Sequence, residues 1–118
     1  MSLRKEIIRD LQVMENDLCN PTFTWQGNSY IFIPSITMFN RTLDTGGFQL
    51  IRLLTATVRK FNLDCDDNFE AIFVNGMPQP QQTFTYNLDG TNYRVESIKG
   101  DPTDSYFRMI AHSTSKGI

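Results

Sequence analysis

The sequence predicts a mainly β fold, a small β-barrel or sandwich of about six strands preceded by one amphipathic helix. Three observations predict it. Apolar residues recur at helical spacing only between Ser2 and Cys19. After Pro21 the period becomes alternating, in short runs rich in aromatic and β-branched residues such as Thr22–Trp25 and Tyr30–Ile33. Turn signals, among them Gly27-Asn28, Asp89-Gly90 and Asp101-Pro102, punctuate these runs at intervals that suit hairpins.

In the first element Leu3, Ile7, Leu11, Met14 and Leu18 line one helical face, and Ile8 widens it. Ser2 is placed to accept from free first-turn amides. Asn20-Pro21 ends the helix, because the residue before proline avoids the helical region. Next come Thr22–Trp25 and Tyr30–Ile33, a hairpin whose connection is expected over Gln26-Gly27-Asn28-Ser29. Pro34 closes the second strand or marks an edge.

From Ser35 to Gly47 no clean period is visible and Asp44-Thr45-Gly46-Gly47 punctuates the end, so the expectation is a long loop over 35–47. Met38, Phe39 and Leu43 lie in it, and apolar residues in a loop must pack back or meet a partner. Phe48 to Phe61 fits both periods, but Thr55-Ala56-Thr57-Val58 favours a strand, since β-branched side chains lose rotamer freedom in a helix. Asn62–Asn68 reads as a solvated acidic loop holding Asp64, Asp66 and Asp67. Counted from Asp64, the positions that a calcium-binding EF-hand gives to glycine and glutamate hold Phe69 and Asn75, which excludes that site.

Phe69–Val74 is a short apolar segment and Pro78-Gln79-Pro80 an extended connection. Thr83–Leu88 and Asn92–Ile98 form a hairpin around Asp89-Gly90, and Ser105–His112 is a last strand. The whole is expected to be one domain over 1–118, with the helix at 2–19, the barrel at 22–112 and a frayed tail at 113–118. The patterns Gly27-Asn28-Ser29-Tyr30 and Gly90-Thr91-Asn92-Tyr93 are alike, as glycine turns leading into aromatic strands commonly are.

Composition narrows the function. The chain has 118 residues, 40% hydrophobic and 20% charged, enough to bury about two thirds of its unfolded surface without disulfides or metal. Eleven basic against thirteen acidic residues give a net charge of −2, which supplies no general field for nucleic acid or an anionic membrane. The first ten residues lack the apolar stretch of a signal peptide and no apolar run reaches membrane length, so a soluble chain in a reducing compartment is expected. Two cysteines, Cys19 and Cys65, and one histidine, His112, fall short of a four-ligand zinc site. The cysteines read as buried apolar residues and His112 as a strand-end residue. Neither a Cys/His pair nor carboxylates such as Asp66 and Glu70 assemble a catalytic set, and no phosphate-binding glycine loop occurs, so neither an enzyme nor a cofactor is expected.

The stretch from Thr83 to Ile98, with Gly90, Tyr93, Arg94 and Val95 in its hairpin, followed by Phe107-Arg108-Met109-Ile110, resembles the C-terminal half of the small head-to-tail joining proteins of tailed bacteriophages. Thr45-Gly46-Gly47-Phe48 is similar to the glycine-containing loop of that family, and the likeness in plan covers most of residues 22 to 112. Gln81-Gln82 stand where many relatives carry a glycine and an acidic residue, so tail-completion and tail-terminator proteins of similar size are close alternatives. The resemblance implies a structural virion protein, assembled in the host cytoplasm, that closes the DNA exit channel as a homo-oligomeric ring. It implies portal or adaptor proteins and tail terminator or tail tube proteins as partners, with DNA passing the lumen unread and no membrane.

For such a ring the candidate interface residues are Met38, Phe39, Arg41 and Leu43 in the 35–47 segment, with Arg59 and Lys60 opposite in charge to Asp64, Asp66 and Asp67. The alternative is a small barrel binding single-stranded nucleic acid, with bases stacked on Tyr86, Tyr93 and Tyr106 beside Arg94 and Arg108.

Overall fold

A computed structural model describes residues 3–42, 48–66, 68–74 and 76–113, with the backbone alone for 38–42 and 48–51. The expected class is what it has: one helix and a curled, mainly β body. The elements in order are α1 (Leu3–Asp17), β1 (Thr22–Trp25), β2 (Asn28–Ile31), β3 (Ile33–Thr42), β4 (Phe48–Arg59), β5 (Phe61–Leu63), β6 (Phe69–Ala71), β7 (Thr83–Tyr86), β8 (Thr91–Gly100) and β9 (Tyr106–Ser113). Seven strands form one antiparallel sheet in the order β2-β1-β7-β8-β9-β4-β3, and β5 and β6 pair separately. The two sheet edges, β2 and β3, are consecutive in the chain, with Phe32 at the bend and its amide donating to the Pro21 carbonyl at 3.0 Å. Chain continuity therefore closes the curl where ladder hydrogen bonds do not. Pro34 sits near the start of β3, an edge strand, where a missing donor costs least.

Inside the curl, Phe23, Trp25, Phe32, Leu54, Val58, Phe84, Tyr86, Tyr93, Val95, Phe107 and Met109 are buried as one cluster. Alternation along β4 and β9 supplies its walls. Phe73 stacks on Tyr30, centroids 4.7 Å apart, and meets Phe107 edge-on at 5.4 Å, so the segment after β6 packs back onto the cluster.

Several expected details change. Of the loop expected over 35–47, residues 35–42 are instead the outer part of the ten-residue strand β3, which pairs in register with β4 from Ile33↔Thr57 to Thr42↔Phe48, and 43–47 lie outside the described residues. The sequence shows no clean period there because polar and apolar residues are mixed at the positions of both strand faces. The hairpin β1–β2 turns at Gln26-Gly27, both at positive φ (50° and 81°), with Asn28 paired to Trp25; the connection is two residues shorter than expected because this turn matches the strand twist. Cys19 and Cys65 are exposed, not buried. Ser113, expected in the frayed tail 113–118, instead ends β9; Leu43 and 114–118 lie outside the described residues, as do Ser2 and Asp67.

The helix ends before Pro21. The Asn20 amide donates to the Glu15 carbonyl at 2.8 Å and the Cys19 amide to the Asn16 carbonyl at 3.0 Å, the paired bonds of a Schellman stop. Cys19 takes the left-handed position of that motif at φ 62°, where glycine is usual. Cys19→Gly should therefore raise the unfolding free energy by about 1 kcal/mol, read as a higher urea midpoint at unchanged slope. An unchanged or lower midpoint would show that no strain resides there.

Candidate interaction surfaces

The buried face of α1 is not the stripe that spacing predicts. Ile8, Leu11 and Glu15 are buried, whereas Leu3, Met14 and Leu18 are 59%, 48% and 49% exposed. Glu15 explains the rotation. Its carboxylate accepts from Arg59 Nε at 2.8 and 3.0 Å and from Nη2 at 2.9 Å. Arg59 Nη1 also donates to the Phe61 carbonyl at 2.7 Å and to Asn62 Oδ1 at 3.0 Å. Side chains of the pair are only 2% and 6% exposed, so the fork and carboxylate must meet, and the helix turns to let them. One turn from the N-terminus, Arg4 donates to the Thr103 carbonyl and lies over the Phe61 ring, 5.1 Å from its centroid.

Arg59, expected on an interface, is thus an internal anchor. Lys60 is also committed within the chain, paired with Asp104, which with Asp101 belongs to the β8–β9 connection. Asp64 folds its own turn: Oδ1 accepts from the amides of Asp66 and Asn68, each at 2.9 Å. Asp66 is exposed and Asp67 lies outside the described residues. The two cations are thus held by partners distant in sequence, Arg59 by Glu15 and Lys60 by Asp104. Met38, Phe39 and Arg41 do fall together, on β3, in register with Arg52, Ile51 and Gln49 of β4.

That segment is the most distinctive surface. Among the described residues the pairing of β4 with β9 begins at Leu53↔His112, so there Met38–Thr42 and Phe48–Arg52 have only each other as ladder partners. They form a two-stranded ribbon leaving the seven-stranded sheet, and the molecule measures 58 × 26 × 25 Å. At its root Arg52 Nη1 donates to Asp89 Oδ2 at 3.0 Å, beside buried Tyr93. Burial raises the phenols of Tyr93 and Tyr86, with the Asp89 charge acting in the same direction and Arg52 opposing it at Tyr93.

A concavity lies at the helix C-terminus. Leu18, Cys19, Pro21, Pro34, Tyr86 and Leu88 are among the residues lining about 450 Å³. On the sheet's outer face Arg94 is in register with His112, whose Nδ1 is 2.7 Å from Glu96 Oε1. Among the described residues no group of three or more His, Cys, Asp and Glu side chains is placed to hold a metal, and no helix is long and apolar enough to cross a membrane.

Asp101 and Asp104 set an acid limb. The Thr103 hydroxyl holds the Asp101 carboxyl below its ordinary 3.8, and Lys60 does the same for Asp104. A carboxyl held low in the folded state adds stability that is complete above its unfolded value and is lost as pH falls through the folded value. Urea midpoints should fall as pH drops below about 4, the ordinary carboxyl range, and should fall less steeply in Asp101→Asn. Equal pH slopes in the two proteins would remove Asp101 from that account.

The fold and surfaces define a small curled β-barrel protein with an anchored helix and a projecting ribbon. Comparison with protein-family models, curated proteins and solved structures finds no match.

Proposed function

We propose that this chain is a structural subunit of a tailed phage or prophage, a ring former at the head-tail interface that closes the DNA exit channel and docks the tail. The observation that carries the reading is the ribbon formed by β3 and β4 beyond Leu53: an apolar-rich projection on a small barrel offers work to an interface and little to a monomer. The family likeness of residues 83–98 and 107–110 supports it, and so does the helix face left open by the Glu15–Arg59 anchor. Portal or adaptor proteins on one side and tail terminator or tail tube proteins on the other are the partners.

Purified protein should bind a portal-adaptor complex as a ring. Absence of affinity for every virion component would sink the reading, as would a gene setting among metabolic genes. Phe39→Asp should fold yet fail to join heads to tails; a folded variant that still joins them would remove the ribbon from the function. Nucleic-acid binding through stacked tyrosines is disfavoured, since Tyr86 and Tyr93 are 4% and 0% exposed. A salt-dependent shift of a labelled single strand at about 50 mM salt would revive it.

A further inference from the structure

We propose that the outer face of β8 and β9 binds double-stranded DNA by its phosphate backbone, without reading sequence, through Arg94, Lys99 and Arg108. That the duplex is the DNA of an exit channel rests on the ring reading; the contact itself does not. Three observations carry it.

The first is that the three cations share one face. Along β8 and β9, Tyr93, Val95, Phe107, Met109 and Ala111 are buried and Ile98 packs against them, so the residues that alternate with these turn outward. A bulge between Val95 and Ser97 shifts the alternation by one, which puts Ile98 inside and Lys99 on the side of Arg94. Arg94, Lys99 and Arg108 are all exposed.

The second is that the chain does not neutralise them. Lys99 and Arg108 are register partners, and like charges directly opposite on neighbouring strands repel. Arg108 Nε meets the Thr57 hydroxyl at 3.5 Å, and among the described residues none of the three cations has an ion-pair partner. Glu96 is the one acid in the sequences of β4, β7, β8 and β9, and it is turned to His112 Nδ1 at 2.7 Å. The acids that follow β8 are engaged as well, Asp101 by the Thr103 amide and Asp104 by Lys60. In a chain of net charge −2, this face sets three cations against one acid.

The third decides which polyanion fits. A protein partner is held chiefly by aromatic and apolar anchors at the centre of its interface. Around these cations the neighbours in register are Thr57, Thr83, Thr85 and Asn92, and Ile110 is the one large apolar residue among them that is exposed. Cationic, hydroxyl and amide side chains are the groups that contact phosphate and sugar. Phe84, Tyr86, Tyr93 and Phe107 turn into the core and Tyr106 is half-buried in register with Arg59, so the face offers no platform for bases. Arg94, in register with His112, lies four residues along β9 from Arg108, about 13 Å. A duplex carries one charge per about 1.7 Å of its axis, so both ends of the face meet phosphates in any register.

The test measures anisotropy of a short labelled duplex of mixed sequence with the full chain. Three phosphate contacts give a slope of about −2.7 for log affinity against log salt, a loss of about 40-fold between about 50 and about 200 mM. Arg94→Gln and Arg108→Gln should each flatten that slope by about one, whereas Arg9→Gln, which removes an exposed cation of α1, should leave it unchanged. Circular dichroism should be the same throughout; should Arg108→Gln not fold, Lys99→Gln removes the charge opposite it. Absence of duplex binding at the highest attainable concentration would overturn the proposal, and so would an equal loss in Arg9→Gln. Tighter binding to a single strand, lost in Tyr106→Ala, would overturn it in favour of base stacking, and tighter binding to polyglutamate in favour of an acidic protein segment. Duplex binding without affinity for virion components would keep this face and discard the joining function; affinity for virion components without duplex binding would keep the joining function and discard this face.

Discussion

Glu15→Ala is expected to lower the unfolding free energy by about 3–5 kcal/mol, the range found when one member of a buried ion pair is removed. Arg59 would keep its bonds to the Phe61 carbonyl and Asn62 but lose the carboxylate that neutralises it, in a site where its side chain is 6% exposed. Glu15 also sets which helix face is buried, so the loss reaches the packing of Ile8 and Leu11. The double substitution Glu15→Leu, Arg59→Met should recover much of the loss, because an apolar pair of similar volume needs no neutralisation. Urea unfolding of the single and double variants gives the coupling energy. A single-variant effect under about 1 kcal/mol would assign the pair the worth of a surface ion pair and remove the explanation for the helix rotation.

Phe23→Ala is expected to cost about 3–5 kcal/mol, as truncation of a buried phenylalanine does. Phe23 is fully buried and its ring meets Tyr30, Phe32 and Phe84 at centroid distances of 5.5, 5.1 and 5.2 Å. Those rings belong to β2, to the bend between the two edge strands and to β7, so the cavity would open where the sheet closes on itself. Native stabilities of about 5–15 kcal/mol make a loss of that size visible as a large drop in thermal midpoint and urea midpoint. Phe23→Leu should retain more than half of the stability that Phe23→Ala forfeits, since it fills most of the volume. Equal losses in the two variants would place the energetic centre of the fold elsewhere.

Local chemistry made some elements legible. Asp89-Gly90 lies in the β7–β8 connection with Gly90 at φ 72°, as its residue types demand. Thr55-Ala56-Thr57-Val58 is strand, where β-branching decides between two admissible periods. Elsewhere the deciding partner was distant. Arg59 is 44 residues from Glu15, and only their meeting shows which helix face turns inward. Lys60 and Asp104 are likewise 44 residues apart, so neither cation at 59–60 stayed available to the acidic loop beside it. The ribbon segment reads as loop because its period is that of a two-sided surface, and only its partner β4, fixed in register through the buried Leu54, Ala56 and Val58, reveals it as strand.

What the amino-acid sequence determined by itself was the class: one amphipathic helix, alternating strands, near-balanced charge and a ligand count too small for a four-ligand zinc site. These follow from periods of 2.0 and 3.6 residues and from composition, which act within a few residues of chain. The tertiary structure alone decided the buried face of α1, the anchoring of Arg59, the burial of Tyr86 and Tyr93 and the projection of β3 with β4 past the sheet. Each of these depends on which remote group satisfies a charge, fills a cavity or ends a ladder, and that choice is made only when the sheet curls and brings its two edges together at Phe32.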